Sequence, residues 1–334
     1  MRSNLFKLLI IILLPFKISA QSPDSTYAER LGYPSGARVL ILHIDDAGMS
    51  FDSNEGAINA LTKGVATSVS VMMPCPWVPA FVRFLKTHPE TDAGLHLTLT
   101  SEWKEYRWGP LSGKKNAPGL VDPEGDLWPE VEDVVKHASA DEVEMEMTAQ
   151  LDRARTMGFE PTHLDTHMGT VYGSPEFLMR YIQLGIKNHI PVMLPGGADQ
   201  LIQAQEHFPD ATIMQIRMLG KQLWNAGLPV LDDLHNTSYE WTIPAEVAND
   251  DKKLDEFKTA KYIETLKTIK PGLTMMIMHC TYPSSIFKHI SDSGPTRKGD
   301  MLAMMNPAFR KALTDQGFIL TTWREVKKRR DMIK

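Results

Sequence analysis

Cysteine is scarce in this chain: two residues in 334, Cys75 and Cys280, far too few for a disulfide scaffold. Positive charge is also in short supply. Lys and Arg number 36 against 41 Asp and Glu, a formal charge of −5 with no basic footprint for neutralising a phosphate backbone, so nucleic acid is excluded as a partner. The first apolar run is followed by neither G-x-G-x-x-G nor a P-loop, so the usual nucleotide signals of an open doubly wound sheet are missing. Repeats, low-complexity tracts and long linkers are absent too. What remains, 43% hydrophobic and 23% charged residues, is the composition of an ordinary globular protein with one large core, not of a disordered chain.

The first residues differ from the rest. Met1, Arg2 and Lys7 precede a short apolar run, 8–14, broken by Pro15 and Lys17 and closed by Ile18-Ser19-Ala20. This pattern predicts a secretory signal peptide over 1–20, because the run is shorter than the roughly 20 residues a bilayer span needs. Removing it takes away Arg2, Lys7 and Lys17 and no acid, so the charge falls from −5 to −8. The expected product is a periplasmic or secreted single domain, 21–334, with no stable membrane insertion. In such a compartment Cys75 and Cys280 are free to pair, but Cys75 lies between Pro74 and Pro76 and nothing local sets the distance between the two thiols.

From residue 39 onward, short apolar runs alternate with amphipathic segments. Strands are predicted at 39–44, 67–73, 93–99, 162–166, 191–194, 230–234, 273–278 and 318–322, and helices at 54–63, 80–86, 141–158, 175–187, 253–269 and 307–316. Asp141 with Glu144 suggests a capping box for the third helix. Alternation of this kind predicts an α/β fold: a (β/α) barrel-like arrangement of seven to eight mostly parallel strands with outer helices. The segment 106–129, rich in Gly, Pro and Trp, has no periodicity and is expected to be a loop over one end of the barrel.

Four strands end in polar residues unlike their apolar interiors: Asp45-Asp46, His96, His163-Leu164-Asp165-Thr166-His167 and His279. Singly, each has an ordinary explanation, since a strand histidine is more often a hydrogen-bonded structural residue than a ligand. Two adjacent aspartates readily cap a turn. Together they fall where a parallel barrel gathers its catalytic groups, at the carboxyl ends of the strands. A carboxylate and two imidazoles hold a divalent ion and leave positions open, and a second acid beside them can serve as base.

The runs His43-Ile44-Asp45-Asp46-Ala47-Gly48-Met49-Ser50, Gly94-Leu95-His96-Leu97-Thr98-Leu99-Thr100 and Thr162-His163-Leu164-Asp165-Thr166-His167 resemble the three signatures of the YdjC/ChbG-like carbohydrate deacetylases in order and spacing. The resemblance covers most of 38–325. It implies a barrel-like fold, one divalent metal ion (zinc or magnesium first, with manganese, cobalt and nickel admitted) and removal of acetyl groups from an N-acetylated oligosaccharide or polysaccharide. Asp46, His96 and His167 would be the metal ligands, Asp45 the base that activates water, and His279 the acid that protonates the leaving amine. Asp165 and His163 would support the ligands from behind.

The chain departs from the family pattern in several places. His43 stands for the usual Asn and Ala47 for Phe, Met168-Gly169-Thr170-Val171-Tyr172 replaces a His-rich run, Cys280-Thr281-Tyr282-Pro283 replaces Pro-Gly, and 191–195 lacks an Arg often found there. Aromatic faces pack on pyranose rings, which nominates Trp103, Trp108, Trp128, Tyr172 and Trp241 for substrate binding, together with Asp232 and, behind it, Asp233 and His235. Three rival readings use the same residues. His163-x-Asp165 with His279 matches the ligand set of non-haem iron oxygenases. The other two are a non-catalytic carbohydrate-binding protein and a metal hydrolase acting on another bond.

Overall fold

The computed structural model describes residues 25–207 and 209–333, so the expected signal segment 1–20 lies outside the described residues. No helix among them is long and apolar enough to cross a membrane. They contain seven strands: β1 (Arg38–Ala47), β2 (Ser68–Val71), β3 (Ala93–Leu97), β4 (Leu164–Thr166), β5 (Asp233–His235), β6 (Gly272–Met278) and β7 (Ile319–Leu320). Every pairing between these strands is parallel, in the order β4-β3-β2-β1-β6-β5, with β7 beside the amino end of β1. Single parallel bridges, Leu164 to Val192 and Pro195 to Leu231, carry the ring from β4 round to the approach to β5. The fold is the barrel-like α/β architecture expected, and the predicted strand at 191–194 survives only as these bridges.

Strand alternation divides the core in two. Leu40, Leu42 and Ile44 of β1, with Leu95, Leu97 and Leu164, pack outward against the helices. The opposite face of β1 carries Val39 and Ile41, which fill the lumen with Leu273, Met275, Ile277 and Leu231 over Trp323. Continued one and two steps along, that same lumen face delivers His43 and Asp45 toward the carboxyl end.

Helix boundaries follow local chemistry. Ser50 caps Phe51–Thr62, and the capping box of Ala140–Thr156 is Ser139 with Glu142 rather than Asp141 with Glu144. Helices over Val131–His137, Gln200–Glu206, Asp210–Asn225, Gly294–Met305 and Trp323–Asp331 were not anticipated. Gly294–Met305 packs so closely on Asp251–Leu266 that a Cβ at Gly299 would stand 2.5 Å from Lys258 Cγ. The 106–129 segment is irregular, as expected. Tyr106 donates to Met49 O and Trp108 Nε1 to Thr100 O, fixing it over the carboxyl ends of β1 and β3. Cys75 and Cys280 are buried free thiols.

Candidate active site

Successive strand residues point to opposite faces, so Asp45 and Asp46 should not share a pocket. They do so because Asp46 adopts φ 68°, in the left-handed region that aspartate tolerates better than most residues, and the β1–β2 register slips between Ile44 and Ala47. His96 and Asp165 meet by register, as direct partners across β3 and β4. His167 follows β4 directly, and the chain turns sharply behind it through Met168 (φ 52°) and Gly169 (φ 65°).

The result is a nearly equilateral triangle of buried donor atoms. Asp46 Oδ1 is 3.3 Å from His96 Nε2 and 3.4 Å from His167 Nδ1, and the two nitrogens are 3.3 Å apart. Donor atoms so spaced would hold a divalent cation between them, and a carboxylate with two imidazoles is a donor set such an ion accepts. Asp46 Oδ1 is buried without a hydrogen-bond partner among the described residues. Each imidazole is fixed by a carboxylate on its far nitrogen: His96 Nδ1 on Asp165 Oδ1 at 2.8 Å, His167 Nε2 on Glu102 Oε2 at 3.0 Å. Those contacts set the tautomers so that the lone pairs of Nε2 and Nδ1 face the centre. Asp46 Oδ2 accepts from Arg297 Nη1 at 2.6 Å.

The electrostatics agree with the geometry. Burial alone would lower His167, but Glu102 and Asp46 outweigh it and raise its pKa to about 9. His96 is raised as well, with burial opposed by Asp45 and Asp165. For Asp46 burial works upward, yet Arg297 and the two imidazoles hold its carboxyl well below the usual range. Negative charge converges here, and a proton or a metal cation answers it.

Asp45 stands beside the triangle. Its Oδ1 lies 3.1 Å from His43 Nε2, while Oδ2 lies 3.8 Å from His96 Nε2 and 3.9 Å from His279 Nε2. His43 Nε2 is also 2.8 Å from Asp165 Oδ2. Burial would depress His43, but Asp165 and Asp45 raise it to about 9, so it bridges the two carboxylates as a cation. His163 stacks on Trp323 (5.2 Å, 18°) and faces Asp165 Oδ2 at 3.6 Å. Glycine at position 94 makes room for it, since a Cβ there would fall 2.5 Å from the ring. His163 and Asp165 group with His43, not with His279, which removes the iron-oxygenase triad.

Among the nominated aromatics only Trp103 borders the triangle, 6.3 Å from the His167 ring. Trp108 is buried, and Trp128 donates to Gly119 O and stacks on His137 at 4.4 Å. Trp241 packs on Tyr262 at 4.9 Å, and the Tyr172 hydroxyl donates to Met193 O. Asp232 is a correction. It precedes β5, at the amino end of the barrel, opposite the end that carries Asp46, His96 and His167, and accepts from the N–H groups of Tyr27, Ala28 and Leu273 at 2.8 to 3.0 Å. Asp233 caps the helix Gln200–Glu206 through Leu201 and Ile202. Sequence reasoning missed Glu102 and Arg297. Arg297 and Asp300 share one face of Gly294–Met305, and charge on a face that also carries Met301 and Met304 was the available signal.

The fold and pocket define a barrel protein with a buried Asp/His cluster able to hold a metal ion at the carboxyl ends of its strands. The chain belongs to the YdjC-like protein family, whose model matches residues 39–315. A carbohydrate deacetylase from Thermus thermophilus is 31% identical over 299 residues, covering 90% of this chain and 97% of that protein. A chitooligosaccharide deacetylase from Klebsiella pneumoniae is 25% identical over 299 residues, covering 86% and 99%. A solved structure from Enterococcus faecalis, of a protein named for cellobiose-phosphate cleavage, superposes with a TM-score of 0.69 at 18% identity over 87% of this chain and 99% of that one, a likeness of fold.

Proposed function

We propose that the protein is an exported, metal-dependent hydrolase that removes acetyl groups from N-acetylated oligosaccharides or polysaccharides. The observation that carries this reading is the triangle of Asp46 Oδ1, His96 Nε2 and His167 Nδ1, at 3.3 to 3.4 Å, with a second carboxylate beside it. Family relatives named as carbohydrate deacetylases supply the substrate class. A divalent ion bound there supplies positive charge that polarises an acyl carbonyl and acidifies water.

The chain's own residues supply the proton chemistry. Asp45 is restrained through Oδ1 by His43 and presents Oδ2 to the pocket, where it takes a proton from the attacking water. Oxygen adds to the acyl carbon, the C–N bond breaks, and the amine leaves only if it receives a proton. His279 gives that proton. Its backbone N–H is anchored on Asp300 Oδ2 at 3.0 Å, and Nε2 lies 3.9 Å from Asp45 Oδ2. Burial outweighs the pull of Asp46 and lowers His279, so the ring is neutral at pH 7, and the proton it donates is the one Asp45 collected. Products are acetate and a free amino sugar. Trp103 borders the acetyl position.

The test is acetate release from N-acetylglucosamine oligomers by purified protein, abolished by a chelator and restored by zinc or magnesium. Metal-loaded protein that binds the oligomers without releasing acetate favours the binding reading. Release from O-acetyl but not N-acetyl sugars favours another bond.

A further inference from the structure

Three large aromatic side chains that no role above uses stand in solvent just past neighbouring strand ends: Phe51 opens the helix Phe51–Thr62, Trp77 precedes the helix Val78–Thr87 and Tyr282 lies in a loop. Phe51 is 51% exposed, Trp77 42% and Tyr282 56%. They follow the carboxyl ends of β1, β2 and β6, which are adjacent in the sheet, so they occupy one continuous arc of the rim. The same strands β1 and β6 deliver Asp45, Asp46 and His279. Phe51 comes five residues after Asp46, and Tyr282 three after His279.

Their backbones are held firmly although their rings are not covered. Trp77 N–H donates to Gly48 O at 3.1 Å, and Trp77 O accepts from Asn54 Nδ2 at 3.1 Å. Tyr282 N–H donates to Asp52 O at 2.9 Å, and Ser284 Oγ to Asp52 Oδ2 at 3.0 Å. Phe51 and Trp77 meet edge to face at 5.3 Å, and both remain about half exposed. Exposed, rigidly mounted aromatic surface beside a polar pocket is the signature of a ligand platform, whereas scattered surface apolar residues need no explanation.

We propose that Phe51, Trp77 and Tyr282 form a stacking platform for the sugar units that flank the acetylated one, so that the preferred substrate is an oligosaccharide of several rings. The occupant follows from continuity: a chain whose acetyl group reaches Asp45 must leave the pocket across its rim, and the Phe51, Trp77 and Tyr282 arc is where the strands carrying Asp45 and His279 end. Pyranose rings offer apolar C–H faces that match aromatic rings, with hydroxyls at the edges for water. The inference rests on the deacetylase reading and extends it to substrate length.

The experiment compares kcat/KM for N-acetylglucosamine oligomers of two and six units, in the full chain loaded with zinc or magnesium. Native protein prefers the hexamer, and Phe51→Ala with Trp77→Ala lowers the hexamer-to-dimer ratio by roughly tenfold, the loss of two stacking contacts. Met218→Ala, an exposed residue on Asp210–Asn225, is the control and leaves the ratio unchanged. A ratio that stays within twofold in the double variant overturns the platform. If no oligomer yields acetate, the deacetylase reading falls by itself. The platform is then judged by titration calorimetry of the Asp45→Asn protein: tighter binding of the hexamer than of the dimer, lost on Trp77→Ala, upholds it, and equal or absent binding ends it.

Discussion

Glu102 Oε2 lies 3.0 Å from His167 Nε2, on the far side of the ring from the nitrogen that faces Asp46. The carboxylate therefore selects the tautomer that presents Nδ1 to the triangle, as Asp165 does for Nε2 of His96. Supporting contacts of this kind typically contribute 10–100-fold to metal affinity. Glu102→Ala should weaken zinc binding by about that factor, read by competition with a chromophoric chelator. Undiminished affinity would show that His167 is held by its turn through Met168 and Gly169 alone.

Asp45 and Asp46 are neighbours with different predicted fates. Removing the charge of Asp45 leaves the three donor atoms in place, so Asp45→Asn should cut acetate release by roughly 10²- to 10⁴-fold at unchanged metal content. Asp46→Asn should lose metal and activity together. Equal metal loss in both variants would make Asp45 a ligand instead of a base.

The barrel was legible because its strands are buried on both faces and so read as continuous apolar runs, as 273–278 does. Polar side chains breaking the apolar pattern at strand ends marked the candidate positions, and the family resemblance singled out the three of the triangle among them. Glu102 and Arg297 were harder to read for the complementary reason: each lies among other charged residues, where a charge looks like solvated surface, and only folding brings Arg297 to Asp46 from 251 positions away. Asp232 was misplaced because an acid before a strand and an acid after one look alike without knowing which end of the barrel they occupy. In the irregular segment, Trp108 and Trp128 spend their indole N–H groups on backbone carbonyls, a use that sequence cannot distinguish from ligand binding.

Behind the site, Lys258 Nζ is wholly buried, 2.8 Å from Asp300 Oδ1 and 2.8 Å from Ser238 O, and Tyr262 donates to the same Asp300 oxygen. Asp300 in turn holds the N–H of His279, so the pair couples the packing of two helices to a pocket residue. Breaking a buried pair strands a charge, and Lys258→Met should destabilise by about 3–5 kcal/mol in urea unfolding. Lys258→Met with Asp300→Leu should recover much of that loss, and Lys311→Ala, which breaks an exposed pair with Asp315, should cost under about 1 kcal/mol. A Lys258→Met loss no larger than that of the surface pair would mean that solvent reaches Asp300.

His235 gives the protein a predicted acid sensitivity of its own. It is 4% exposed, its Nε2 meets Thr237 Oγ1 at 3.1 Å, and Nδ1 has no partner among the described residues. Burial, opposed by the charge of Asp300 and by a backbone hydrogen bond, lowers its pKa from 6.5 to about 4. Between those values the unfolded chain binds more protons than the native one, so the contribution of His235 is complete above pH 6.5 and is lost as the pH falls toward 4. His163 and His279 are lowered by burial as well, but they act alike in native protein and in His235→Gln, so the difference between the two isolates His235. His43 and His167 are raised to about 9, so they are charged in both states below pH 6.5, and their contribution fades only as the pH climbs toward 9. Native protein should therefore lose about 2 kcal/mol more than His235→Gln between pH 6.5 and pH 4.5, read from urea midpoints. Parallel curves would mean that the imidazole is solvated or finds an acceptor when protonated, and the acid limb of stability would then have to arise from other groups, buried His163 and His279 among them.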